Sequence, residues 1–123
     1  MDIFPISLKL QQQPCLIVGG GRIAYRKAVL LVKAGAVIDI ISPEIDANLL
    51  EVIQQCGGQY IQAPYSASLS LRYYRLVIAA TDDQAVNQAV FEACEADNVL
   101  VNSVDDPPHC RFMVPAIIDR SPL

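Results

Sequence analysis

The chain has 123 residues, enough for one domain with a substantial core, and no composition shift argues for two. Hydrophobic residues make up 53% of it and the net charge is −4, which excludes a disordered chain and argues against nucleic acid as the main partner. No basic leader with an apolar h-region is seen, and no apolar run approaches the roughly 20 residues needed to span a bilayer, so a soluble cytoplasmic protein is expected.

Phe4 to Leu10 alternates apolar and polar residues and reads as a short strand, on an edge because Pro5 lacks a backbone donor. A polar turn, Gln11 to Pro14, leads into Cys15-Leu16-Ile17-Val18, an apolar run too short for a helix. The chain then passes through Gly19-Gly20-Gly21 and takes on helical periodicity at Ala24, Ala28, Leu31 and Val32, so a helix is expected from about Gly21 to Ala34. Lys33 suits its last turn and Gly35 its C′ position. Ala36 to Ile41 reads as the next strand.

Ser42-Pro43-Glu44 has the composition of a helix start, with Ser42 as N-cap, and Ile45, Leu49, Val52, Ile53 and Cys56 supply an apolar stripe that Gly57-Gly58 ends. A short strand is expected at Gln59 to Gln62 and an irregular helical turn at Ser66 to Leu71. Leu76 to Ala80 is continuously apolar, as a parallel strand covered on both faces should be. Thr81-Asp82 can cap a further helix, with apolar pairs at Ala85/Val86, Ala89/Val90 and Ala93/Cys94, before a fifth strand at Val99 to Asn102. Strands alternating with helices predict an α/β fold, a Rossmann-like open parallel sheet with helices on both faces, forming one domain over residues 1–123. The four cysteines, Cys15, Cys56, Cys94 and Cys110, include no CxxC pair, and disulfides are not expected; Cys15 and Cys94 read as packing residues.

Gly19, Gly21 and Ala24 fit the dinucleotide fingerprint G-x-G-x-x-G/A, after a strand and opening a helix as the motif requires. Gly19 permits the tight turn, Gly21 lacks a Cβ that would hold a phosphate away from the backbone N–H groups, and small Ala24 lets the helix approach the strand. Ligands of such sheets lie beyond the carboxyl ends of the strands. That places Gly19, Gly21, Arg22, Ile23, Ser42, Pro43, Glu44 and Thr81 as candidate cofactor-binding residues, with the segment Asn102 to Asp106 nearby. Asp39 falls too early in its strand to read a ribose. Glu44 can receive a ribose hydroxyl or simply decorate a helix start, and Arg22 or Arg26 can accept a 2′-phosphate, so NAD is favoured only modestly over NADP.

Asn102 to Arg111 is the densest polar cluster after a buried strand. In extended chain Asp105 and Asp106 point to opposite sides, so one of them can face the cofactor; it can serve as a general base, or both can cap or solvate a loop. His109 and Cys110 are adjacent and lack a second ligand pair at zinc spacing, so no metal site is expected.

The blocks Phe4-Pro5-Ile6, Cys15 to Lys27, Ile78 to Asp83, Asn102 to Pro107 and Phe112 to Leu123 resemble, in order and over the whole chain, the N-terminal domain of the siroheme synthase family of NAD-dependent precorrin-2 dehydrogenases. The resemblance implies hydride removal from precorrin-2 to NAD, giving sirohydrochlorin, in a family that often also inserts ferrous iron. The family's essential aspartate falls on Asp105, which would act as the base and help remove pyrrole protons in chelation. Its NAD contacts fall on the glycine loop, Arg22, Ile23, Pro43 and Glu44. The polycarboxylate substrate suggests Arg22, Arg26, Lys27 or Arg111 as steering groups, though a solvated helix face explains the first three equally well.

The family continues past this block with strands that form a homodimer and a helical domain, whereas the sequence stops at Leu123; the apolar stretches Phe112-Met113-Val114 and Ala116-Ile117-Ile118 read as a surface seeking a partner. The alternatives are a non-catalytic NAD-binding module or an incomplete fragment of the enzyme. An unrelated small Rossmann dehydrogenase lacks support, because no Tyr-x-x-x-Lys pair stands in the expected loops.

Overall fold

A strand buried on both faces must be apolar at successive positions, and the two central strands meet that requirement. A computed structural model describes residues 3–104 and 106–112. It shows β1 (Pro14–Val18), α1 (Arg22–Lys33), β2 (Val37–Ser42), α2 (Ala47–Gln55), β3 (Tyr60–Gln62), β4 (Leu76–Ala79), α3 (Gln84–Asp97), β5 (Leu100–Ser103) and a 3₁₀ turn at Pro107–His109. The strands form one parallel sheet in the order β3-β2-β1-β4-β5. This is the expected Rossmann-like α/β architecture.

Alternation within each strand divides the core in two. Cys15 and Ile17 of β1, Ile38 and Ile40 of β2, and Leu76 and Ile78 of β4 face Ala24, Ala28 and Leu31 of α1 and Leu49 and Ile53 of α2. Leu16, Val18, Val77, Ala79 and Val101 face the other way, onto Val90 and Cys94 of α3. Helices therefore cover both faces. Cys15 and Cys94 are fully buried packing groups, and burial pushes their thiols up to about 11 and about 12. Asp39 is half-buried and engaged by the fold: its carboxylate accepts from the Gln59 N–H at 2.9 Å and from the Tyr74 hydroxyl at 2.8 Å. Among the described residues no helix is long and apolar enough to cross a membrane.

Several local expectations are corrected. Phe4 to Leu10 is not a strand. Alternation supplies an apolar face, but the segment pairs with no strand of the sheet: Phe4 is 86% exposed and only Leu10 enters the core. Ser42 is not an N-cap. It stays in β2, opposite Gln62 of β3, and the helix begins four residues later than Pro43, capped by Asp46, whose carboxylate accepts from the N–H groups of Asn48 (2.8 Å) and Leu49 (3.2 Å). Likewise Asp83, rather than Thr81 or Asp82, caps α3 through the N–H groups of Ala85 (2.9 Å) and Val86 (3.4 Å). Ser66 to Leu71 holds a hydrogen-bonded turn, Leu69 N–H to Ser66 carbonyl at 3.0 Å, in place of a helical turn. Gly35 takes the expected C′ position after α1, at φ +85.

Leu16 lies in the middle of β1 and is fully buried. Leu16→Ala is expected to cost about 2–5 kcal/mol, measured by equilibrium denaturation.

Candidate functional site

At the carboxyl ends of β1, β2 and β4 the chain leaves the sheet through three loops that enclose a cleft of about 990 Å³. The first is the glycine turn, and its three glycines have three different reasons. At Gly19, φ is +132 and a Cβ would stand 2.4 Å from the Ala80 carbonyl oxygen, so the turn lies directly on the end of β4. At Gly20 a Cβ would stand 2.0 Å from the Glu44 carbonyl oxygen and 2.9 Å from Ser42 Oγ. The Gly20 carbonyl accepts from the Asp46 N–H at 2.7 Å, which ties the glycine turn to the loop after β2. At Gly21 a Cβ would meet nothing within 4 Å, and φ of −96 is open to any residue.

Helix α1 starts beside Gly21 with no capping side chain and no acidic residue in its first turn, whereas Asp46 and Asp83 cap the other two helices. An uncapped helix start presents N–H donors and the positive end of the helix dipole, which suits an anion. An aspartate here would compete for the same donors.

The structure brings all eight candidate cofactor residues, Gly19, Gly21, Arg22, Ile23, Ser42, Pro43, Glu44 and Thr81, to the lining of this one cleft. Gly20, expected only as part of the glycine loop, also lines it, and so do Asp46, Pro64, Tyr65 and Val86, which were not anticipated. Gly20 stands at an unconstrained position of the fingerprint, and its need for glycine arises from Glu44, 24 residues away in the chain. Of the proposed steering cations, Arg22 lines the cleft and Arg26 and Lys27 do not.

Asp105 lies outside the described residues, as do Met113, Val114 and Ala116 to Ile118. The residues before Asp105 are fixed: Val104 is buried and its N–H reaches the Ala79 carbonyl at 3.0 Å, setting the end of β5 beside the end of β4. After it the chain closes into a clasp. The Asp106 carboxylate pairs with His109 Nδ1 at 2.6 Å, and the Cys110 thiol donates to the Ser103 and Asp106 carbonyls at 3.1 and 3.3 Å. Cys110 also bridges antiparallel to Asn102, whose side-chain amide donates to the Phe112 carbonyl at 2.9 Å. Arg111 binds Glu95 through Nε at 2.8 Å and lies over the Phe91 ring, so its charge is engaged within the protein. Its guanidinium holds the Glu95 carboxyl below the usual range. Among the described residues no three His, Cys, Asp or Glu side chains are grouped to hold a metal ion.

A family model described as "Putative NAD(P)-binding" matches residues 6–116. The chain is 66% identical over 124 residues to a siroheme synthase of Acinetobacter baylyi, covering all of this chain and 27% of that protein. It is 47% identical over 123 residues to the siroheme synthase of Chromobacterium violaceum, covering 26% of that protein. A solved structure of SirC, a precorrin-2 dehydrogenase, matches with a TM-score of 0.84 at 26% identity, over 98% of this chain and 59% of that one. The chain thus spans about a quarter of the length of these curated relatives, and the resemblance read from the motif blocks is borne out.

Gly20→Ala places a methyl group against backbone at Glu44. It is expected to cost about 1–3 kcal/mol, seen as a lowered Tm, before any ligand is considered.

Proposed function

The chain belongs to the NAD(P)-binding family matched over residues 6–116, and from that premise we propose that residues 1–123 form the cofactor-binding domain of an NAD-dependent precorrin-2 dehydrogenase of siroheme synthesis. The observation that carries the cofactor reading is Gly21. Neither backbone conformation nor neighbouring atoms require glycine there, so its value lies in what approaches from the cleft. A pyrophosphate on the uncapped start of α1 needs that approach. The residues present fit the cofactor: Gly19, Gly21, Arg22 and Ile23 would hold the pyrophosphate, and Ser42, Pro43 and Glu44 the adenosine ribose. Thr81 forms the opposite wall. When bound, the cofactor supplies the hydride acceptor.

The chain's own residues would do the rest. Asp105 takes the proton that leaves precorrin-2 as the hydride departs, which yields sirohydrochlorin, NADH and the protonated carboxyl group. The fixed end of β5 sets where that loop starts, and the clasp between Asp106 and Phe112 sets where it returns. Arg22, at the rim of the cleft, attracts the substrate's carboxylates. The substrate assignment rests on the SirC likeness and the siroheme synthase relatives. A domain of this type works with the remainder of its polypeptide and as a homodimer.

Two measurements test the reading. Gly21→Ala is expected to lower Tm less than Gly20→Ala, by no more than the small N-cap preference for glycine, and to weaken NAD binding at least about tenfold by calorimetry, since the added methyl group faces the ligand and no protein atom. Asp105→Asn is expected to abolish NADH formation from precorrin-2 and NAD while leaving NAD affinity unchanged. A chain that binds NAD and forms no NADH in the wild type would instead be a binding module or an incomplete part of the enzyme.

A further inference from the structure

One wall of the cleft is shaped by a residue that lies behind it. Asn87, in the first turn of α3, is 1% exposed and is not among the residues lining the cleft. It shares the buried face of α3 with Val90 and Cys94, an apolar setting where a primary amide is costly unless its polar atoms are paired. All three hydrogen bonds of its side chain go to Thr81, which does line the cleft. Asn87 Oδ1 accepts from the Thr81 N–H at 3.2 Å and from the Thr81 hydroxyl at 2.7 Å, and Nδ2 donates to the Thr81 carbonyl at 3.0 Å. One side chain therefore satisfies both backbone groups of Thr81, just past the end of the β4 ladder.

The anchored peptide has a second neighbour. A Cβ on Gly19 would stand 2.4 Å from the Ala80 carbonyl oxygen and 3.3 Å from the Thr81 nitrogen. The Ala80–Thr81 peptide is thus the surface on which the glycine turn rests, and its N–H is the one Asn87 holds. The Thr81 hydroxyl is committed as well: it accepts from the Asp83 N–H at 3.2 Å, and its single proton is shared between Asn87 Oδ1 and the Asp83 carbonyl at 3.0 Å. Thr81 accordingly meets a ligand with its backbone and methyl group rather than with a free hydroxyl.

We propose that Asn87 is a positioning residue for the dinucleotide: it clamps the Ala80–Thr81 peptide at the spacing from Gly19 that the bound cofactor requires. This rests on the NAD reading above. The test compares Asn87→Leu, which keeps the branched shape and removes the clamp, with Val90→Ala, which removes buried apolar atoms from the same helix face and leaves the clamp intact. NADH titrations by calorimetry, well below each variant's Tm, give dissociation constant and stoichiometry separately. Asn87→Leu is expected to bind at full stoichiometry with a dissociation constant raised about tenfold, the loss of roughly one hydrogen bond's net worth. Val90→Ala is expected to lower Tm and keep the wild-type constant. Should Asn87→Leu fail to fold, Asn87→Ala is measured in its place against the same expectation. An unchanged constant at residue 87, or an equal rise in Val90→Ala, overturns the proposal and leaves Asn87 a purely structural residue. Wild-type protein that fails to bind NADH would instead sink the cofactor reading itself.

Discussion

Close backbone contact at the glycine turn is the constraint on which the rest of the site depends. Residues 19 and 20 press directly on the carboxyl ends of neighbouring elements, Gly19 on Ala80 and Gly20 on Glu44. Neither contact leaves room for a side chain. The turn thereby fixes three loops relative to one another, and Gly21, at the far end of the turn, opens onto the cleft. Two glycines serve the protein and one is left for the ligand.

The sheet makes that arrangement possible. β1 is central, paired in parallel on both sides, so the turn that follows it emerges between the loops after β2 and β4. Burial of Cys15 to Val18 in β1 and of all of β4 on both faces holds the platform rigid, because a shift in either strand would open voids in both halves of the core. Several polar groups near the site are satisfied locally: Asp46 and Asp83 cap their helices, Asn87 ties Thr81, and Asp106 holds His109. The start of α1 is not, and the NAD reading gives that a purpose; the buried hydroxyls of Tyr65, in the cleft lining, and Ser103 also lack a partner among the described residues.

Much of this was legible in the chain. The fingerprint with its flanking strand and helix, the apolar run from Leu76, and the return of helical period after Asp83 each depend on neighbours within a few residues, where steric and hydrogen-bonding rules act directly. Cap positions were less legible. Ser42 has the chemistry of a cap, yet pairing with β3 keeps it in a strand, and Asp46, equally suited, takes the role. The strand expected at Phe4 to Leu10 did not form either: its alternation is real, but the segment joins no strand of the sheet and only Leu10 is buried.

The sequence by itself determined the order of strands and helices, the apolar faces, and the eight residues that would gather at one end of the sheet, because periodicity and glycine placement are local properties of the chain. Only the tertiary structure decided why Gly20 must be glycine and why a buried asparagine belongs on α3. Both answers come from atoms brought together by folding: Glu44 meets Gly20 across two loops, and Asn87 meets Thr81 across the start of a helix. Neither contact leaves a periodic trace: the first depends on the distance between two loops, and the second on how a loop folds back onto the helix it leads into.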